Sequence, residues 1–321
     1  MEFTDKIAVV TGGGTGMGRE LVCQLIAAGA HVAMCDVSSD NMAETASLCQ
    51  LADEQRLSSH ICDVSNEQDV LRFRDEVAAQ HDTQHINLLF NNAGIGGGGT
   101  FVSGERDDWE RVFAVCWYGV YYNCRAFVGM LVASDEGHII NTSSVNGFWA
   151  SLGPATPHTA YAAAKFAVKG FTEALITDLR LNAPHVKASV VMPGHIGTSI
   201  AINSGLVLGR GGPKDLSAEQ VEVVRQQLLA AGAPVDNVPD EHIREMMEQR
   251  AIAFRDEAPT TAAAAASIIL DGVRAGRWRI LVGEDAQRLD EMVRQYPEEA
   301  YEASFLTRLS EADVLTNLIN D

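Results

Sequence analysis

Tyr161 and Lys165 stand four residues apart, a spacing that puts two side chains on one face of a helix. A free phenol titrates near ~10 and is a poor base at neutral pH. An ammonium group one turn away stabilises the phenolate and lowers that value. The pair can therefore act as a general base toward an alcohol proton, with Lys165 also able to reach a ribose hydroxyl. Two serines, Ser143 and Ser144, come before the pair, and Pro193-Gly194 with Thr198 comes after it. A Tyr-x-x-x-Lys spacing by itself is most often ordinary helix surface, so the elements around it must decide.

Those elements alternate. A short run rich in Val and Ile predicts a buried strand over 6–11, a second buried strand is predicted over 31–35, and further strands over 59–62, 86–90, 138–142, 187–192 and 279–282. Helical spacing predicts helices over 16–28, 39–52, 66–80, 109–131 and 161–181. Strands joined by helices of this length imply right-handed crossovers and a Rossmann-type α/β fold, a doubly wound parallel sheet with helices on both faces. Ser143, Ser144, Pro193 and Gly194 then fall at the carboxyl edge of that sheet, where ligands bind. Two segments depart from the rhythm. An insertion over 199–259 contains two predicted helices, one opened by a Ser217/Gln220 capping box and one capped by Asp240. An acidic extension covers 284–321. The whole chain, 1–321, reads as one dinucleotide-binding domain carrying a lid and a tail.

The first strand ends in Thr11-Gly12-Gly13-Gly14-Thr15-Gly16-Met17-Gly18 and leads into a helix. Gly12 suits a sharp turn, Gly16 lets backbone approach a pyrophosphate, and Gly18 lets the helix lie close to the sheet. The helix N-terminus adds amide donors and partial positive charge. Asp36 lies at the tip of the second strand, eighteen residues beyond Gly18. A carboxylate there accepts from both ribose hydroxyls and repels a 2′-phosphate. No Arg or Lys lies in 12–18 or 37–43, so the expected cofactor is NAD rather than NADP. Asp63-Val64 could flank an adenine, and Asn91-Asn92-Ala93-Gly94 suits a backbone wall beside a ligand.

With 46% apolar and 21% charged residues in 321, the composition is globular and excludes a disordered or collagen-like chain. A net charge of −19 makes nucleic acid or an anionic membrane surface a poor partner. No stretch approaches the ~20 apolar residues of a membrane helix, and the opening MEFTDKIAVV does not read as a signal peptide. Six cysteines without a C-x-x-C or a metal-ligand spacing read as reduced thiols of a cytoplasmic protein, with no metal site.

The order T-G-x-x-x-G-x-G, N-N-A-G, serine, Y-x-x-x-K and P-G resembles the short-chain dehydrogenase/reductase family over roughly 6–198, together with the strand at 279–283. The glycine spacing is that of the single-domain branch. The resemblance implies that Tyr161 is the catalytic acid/base, that Lys165 lowers its pKa and holds the nicotinamide ribose, and that Ser144 rather than Ser143 binds the substrate oxygen. It implies a cofactor site built from Gly12, Thr15, Gly16, Met17, Gly18, Asp36, Asp63, Val64, Asn91, Ala93, Gly94, Tyr161, Lys165, Pro193, Gly194, Ile196 and Thr198. The activity implied is hydride transfer between NAD and a secondary alcohol or ketone. The alternative is an NAD(H)-binding sensor with little turnover.

Two features depart from the family pattern. The asparagine usual three residues before a helix glycine is replaced by Cys116, before Gly119, and cysteine is a poor donor and acceptor. Ser144 and Tyr161 are also unusually far apart, so 148–158 must loop out, with His158 expected on an exposed loop. Phe148, Trp149, Leu152, Ile200, Ile202, Leu206, Val207 and Leu208 are expected around the cleft and favour a bulky apolar substrate, steroid-like, terpenoid or aryl. The resemblance further implies a homodimer or homotetramer through helices 109–131 and 161–181.

Overall fold

The computed structural model describes every residue except 154–155, 231, 313 and 315–321. Seven strands carry the site: β1 (Ile7–Thr11), β2 (His31–Asp36), β3 (Leu57–Ile61), β4 (Leu88–Asn91), β5 (Gly137–Thr142), β6 (Val186–Pro193) and, last in the chain, β9 (Arg279–Val282). They pair in parallel in the order β3-β2-β1-β4-β5-β6-β9. The order reverses between β1 and β4, and this opens a crevice at their carboxyl ends. β1 is buried throughout its length, as a strand covered on both faces must be. Val9 and Leu89 join one core beneath Phe73 and Phe127. Ala8, Val10, Leu88 and Phe90 face the other, against Leu21, Leu25 and Ile269.

The crossovers are α1 (Gly16–Ala27), α2 (Ser39–Leu48), α3 (Glu67–Gln80), α4 (Arg106–Phe113), α5 (Gly119–Val132) and α6 (Thr159–Asn182). α2 stops at Leu48, short of the expected 52, because the chain turns back to let Gln55 Nε2 donate to Ile26 O and Ala30 O at the end of α1. α4 and α5 form one rod interrupted by a π turn at Ala114–Tyr118 that contains Cys116.

The insertion holds three helices rather than two: α7 (Ile200–Val207), α8 (Ala218–Ala230) and α9 (Asp240–Asp256). The expected capping box forms, with Gln220 N donating to Ser217 Oγ at 3.2 Å and Ser217 N to Gln220 Oε1 at 2.8 Å. Asp240 does not cap α9; it accepts from Arg225, which also donates to Val235 O and Val238 O and so ties α8 to α9. The neck of the insertion is a two-residue parallel ladder between β7 (Ile196–Gly197) and β8 (Thr260–Thr261). α10 (Ala262–Arg274) then packs on α1 and returns the chain to β9. The C-terminal segment forms α11 (Glu284–Gln295) and α12 (Ala303–Glu311), which build a third core with Val145 and Trp149. Trp149, expected at the cleft, is thus only 1% exposed and faces α12.

Among the described residues no helix is long and apolar enough to cross a membrane. All six cysteines are free thiols.

Buried His138 on β5 gives the fold an acid sensitivity. Its Nε2–H donates to Ser189 Oγ at 2.7 Å, because Ser189 spends its own proton on Arg277 O. Burial, with Lys187 adding to it, pushes its pKa down to about 3. The unfolded chain, titrating near ~6.5, binds the proton more readily, so stability falls as pH drops from 6.5 toward 3. Lowering pH from 7.5 to 5 should cost about 2 kcal/mol from this group in urea unfolding, and His138→Gln should flatten the dependence. An identical pH slope in wild type and variant would refute the assignment.

Candidate active site

The crevice at the switch point is about 290 Å³ and is built on the glycine turn. Gly12 (φ 68°) and Gly16 (φ 54°) both adopt left-handed backbone that side chains disfavour. A Cβ on Gly18 would lie 1.9 Å from Gly12 O, so its hydrogen is what lets α1 approach the turn. Thr45 Oγ1 props the turn from α2, donating to Gly13 O and Gly14 O at 3.0 and 3.1 Å. Asp36 reaches back from β2: its Oδ2 accepts from Gly14 N at 3.0 Å and its Oδ1 from Ser38 N at 3.1 Å.

Of the residues expected at a cofactor, Gly12, Thr15, Gly16, Met17, Asp36, Asp63, Val64, Ala93, Gly94 and Thr198 line this crevice. Others face elsewhere. Asn91 is buried, and its Nδ2 donates to Asn141 Oδ1 at 2.8 Å and to Cys124 Sγ; its neighbour Asn92 lines the crevice instead. Strand alternation turns Ile196 into the core against β9 and α10. Pro193 ends β6 outside the lining, and Gly194 backs onto Asp285, whose carboxylate fills the space a Cβ would need. Gly18 is not among the lining residues; it packs against Gly12 and Asn92.

Asp63 is not a free carboxylate. Burial works to raise its pKa, but Arg111 at 2.7 Å and the Ser65 hydroxyl and amide outweigh this and hold it below the usual range. Arg111 lies 48 residues from Asp63 and also lines the crevice, and nothing in the local sequence announces it. α7 leans over the opening: Ser204 Oγ accepts from Gly96 N at 2.8 Å, and Asn203 Nδ2 donates to Thr15 Oγ1 at 3.3 Å.

Gly94 links the crevice to the reactive pair, since a Cβ there would stand 3.5 Å from Lys165 Nζ and 3.7 Å from Cys116 Sγ. Lys165 is 2% exposed, and its ammonium donates to Thr142 O at 2.9 Å while lying 5.3 Å from the Tyr161 ring centre. Ser144 lies close enough to the Tyr161 hydroxyl to favour its phenolate, while its Oγ accepts from Asn146 N at 3.1 Å. Ser143 is committed to Lys165 O at 2.7 Å. The Tyr161 phenol titrates above its ordinary value, contrary to expectation: burial strips water from the phenolate, and Lys165 and Ser144 offset this only in part. His158 lies on the loop before α6, between exposed Pro157 and Thr159, but is itself half-buried. Its ring packs on Tyr161 with centres 4.6 Å apart, and burial lowers its pKa to about 4, so it is neutral at pH 7. Cys116 donates to Ile95 O at 3.2 Å from within the π turn, a helix defect frequent at functional sites.

A doubly wound sheet with a glycine turn at one end of its crevice and a buried serine–tyrosine–lysine cluster at the other defines a class. The profile of the short chain dehydrogenase family matches residues 6–206, and the chain belongs to the short-chain dehydrogenase/reductase family. It is an oxidoreductase of that family, whose members bind nicotinamide cofactors. It is 34% identical over 292 residues to SadH of Mycobacterium tuberculosis, covering 91% of each chain. A short-chain dehydrogenase/reductase from Burkholderia phymatum, crystallised with NAD, superposes with a TM-score of 0.71 at 27% identity, over 93% of this chain and 96% of that one. A metagenomic relative crystallised with NADP is 30% identical, with a TM-score of 0.53 over 60% of this chain and 84% of that one.

Proposed function

We propose that the protein is an NAD-dependent dehydrogenase/reductase that interconverts a secondary alcohol and its ketone. The observation that carries this reading is the meeting of Ser144, Tyr161 and Lys165 beyond Gly94, at the end of a crevice whose turn is built for a pyrophosphate.

The residues fit a nicotinamide dinucleotide. The left-handed glycines and the start of α1 offer a close, donor-rich cradle for a diphosphate. Asp36 stands where the adenosine ribose would lie, with Val37, Ser38 and Asn41 beside it and no cation among them. The cation in the lining, Arg111, is held by Asp63, at the edge assigned to adenine. This composition favours NAD over NADP. When bound, the nicotinamide supplies a hydride acceptor or donor. Lys165 would hold its ribose and Thr198 its carboxamide.

The protein's own residues handle the oxygen and its proton. Ser144 holds the substrate oxygen against Tyr161, and Tyr161 takes the alcohol proton in oxidation or returns it in reduction. Lys165 stabilises the phenolate, and His158, neutral and packed on the ring, fixes its plane. Because the tyrosine must be deprotonated to act as a base and its pKa is raised, oxidation should quicken as pH climbs into the alkaline range.

Ile200, Leu206 and Val207 turn apolar side chains into the crevice, which supports a bulky apolar substrate such as a steroid-like, terpenoid or aryl alcohol. Following NADH formation with a panel of such alcohols tests the function; absence of turnover on all of them, with NADH still bound, refutes it in favour of a cofactor sensor.

Asp36→Ala should lower the NAD/NADP ratio of kcat/KM about tenfold or more, since it removes both an acceptor and a repulsive charge. It also frees Gly14 N and Ser38 N, so NAD affinity itself should fall. An unchanged ratio would show that Asp36 does not select the cofactor. We also assign a homodimer or homotetramer contact to the aromatic faces of α5 and α6, where Tyr121 is exposed beside the Trp117–Phe171 pair. A monomer boundary in sedimentation velocity would overturn that assignment.

A further inference from the structure

The C-terminal helices α11 and α12 pack on the chain that follows Ser144, and the contacts form a relay. The Trp149 indole is sealed in the third core, 6.0 Å from Phe305, and its Nε1–H donates to Ala300 O at 2.6 Å. One residue on, Ala150 N donates to Tyr301 Oη at 3.0 Å. Asn146 links these anchors back to the serine. Its Nδ2 donates to Trp149 O and Ser151 O, both at 3.0 Å, and its backbone N donates to Ser144 Oγ at 3.1 Å. A loop has many conformations of its own, and fixing it costs conformational entropy. Partners supplied by the C-terminal segment select one of them. Beyond the anchors lies a groove of about 600 Å³, walled by Ser151 and Tyr301 and by His158, which packs on the Tyr161 ring.

We propose that Trp149 and Tyr301 are positioning residues, through which the C-terminal segment holds Ser144 in register with Tyr161 and shapes the wall met by the bulky part of the substrate. This rests on the alcohol/ketone reading above. The segment lies outside the span that matches the family profile, residues 6–206. By this inference it serves substrate choice, and cofactor capture proceeds without it. Neither residue touches the reacting atoms; both act through the backbone between Asn146 and Ser151.

The test uses the full chain with Tyr301→Phe and Trp149→Phe. Tyr301→Phe removes the acceptor of an exposed hydrogen bond and should leave Tm and NADH affinity unchanged. It should raise KM for a bulky aryl alcohol about fivefold while moving KM for a small secondary alcohol less than twofold. Trp149→Phe keeps a ring in the core but loses the bond to Ala300, and should lower kcat for both alcohols about tenfold with NADH affinity intact. In both variants amide exchange over 144–151 should accelerate by about tenfold. Faster exchange with kcat and KM unmoved would make the relay merely structural and overturn the proposal. So would a uniform loss that includes NADH binding. If wild type oxidises no alcohol, the functional reading fails by itself. The positioning claim is then decided by exchange alone, and unaltered protection over 144–147 in both variants overturns it.

Discussion

Tyr161→Phe is expected to lower kcat by about 10²- to 10⁴-fold, the range that a positioned acid/base contributes, while leaving NADH binding within a factor of two. The substitution removes one oxygen. The ring stays packed against His158, and Lys165 keeps Thr142 O as its partner, so the cluster has no reason to collapse. What is lost is the hydroxyl that the proposed mechanism uses, beside Ser144, to exchange a proton with a bound alcohol. The pH profile adds a second signature. In wild type the oxidation rate should climb with pH toward the raised tyrosine value; in the variant the residual rate should lose that climb. A variant that retains wild-type turnover would remove Tyr161 from its role. A variant that no longer binds NADH would mean that the cluster had been disturbed.

Gly18→Ala should be nearly as severe, through a steric route. The added methyl would sit 1.9 Å from Gly12 O and 2.7 Å from Asn92 Nδ2. The first of these is backbone in a turn that Thr45 already pins, so relief requires α1 to move away from β1. Overpacking of this kind costs about 1–3 kcal/mol, and here it also misplaces the amides that would face the diphosphate. NADH affinity should therefore fall about 100-fold or more, with Tm lowered by several degrees. Gly129→Ala is the control, since a Cβ there meets nothing within 4 Å. It should be neutral or stabilise by about 0.5–1 kcal/mol, as alanine does in an open helix position. Equal behaviour of the two variants would refute the packing argument.

The contrast between these glycines shows what sequence carries. The central strands were legible because a sheet covered on both faces demands apolar runs, whereas edge strand β3 (LSSHI) is largely polar and only partly buried; the glycine turn was legible because its steric rule is local. The Tyr161–Lys165 pair was legible for the same reason: both residues sit on one helix. Features set by distant partners were not. Asn91 turns inward because Asn141 and Cys124 await it on β5 and α5. Trp149 is buried by helices some 150 residues later, and Asp63 is claimed by Arg111. α7 escaped notice because Ile200–Val207 is short and its apolar residues are spread around the helix, without the contrast between faces that marks a surface helix. The pKa of Tyr161 moved opposite to expectation because burial, invisible in a four-residue spacing, outweighs the neighbouring ammonium.

The short ladder between Ile196–Gly197 and Thr260–Thr261 brings both ends of the insertion side by side. Residues 198–259 thus leave and rejoin the scaffold at nearly the same point. Changing the length of such an excursion costs little, about 0.6 kcal/mol per doubling of a flexible loop. Length changes in 208–259, beyond the α7 residues that line the crevice, can therefore be absorbed while the glycine turn and α7 keep their contacts.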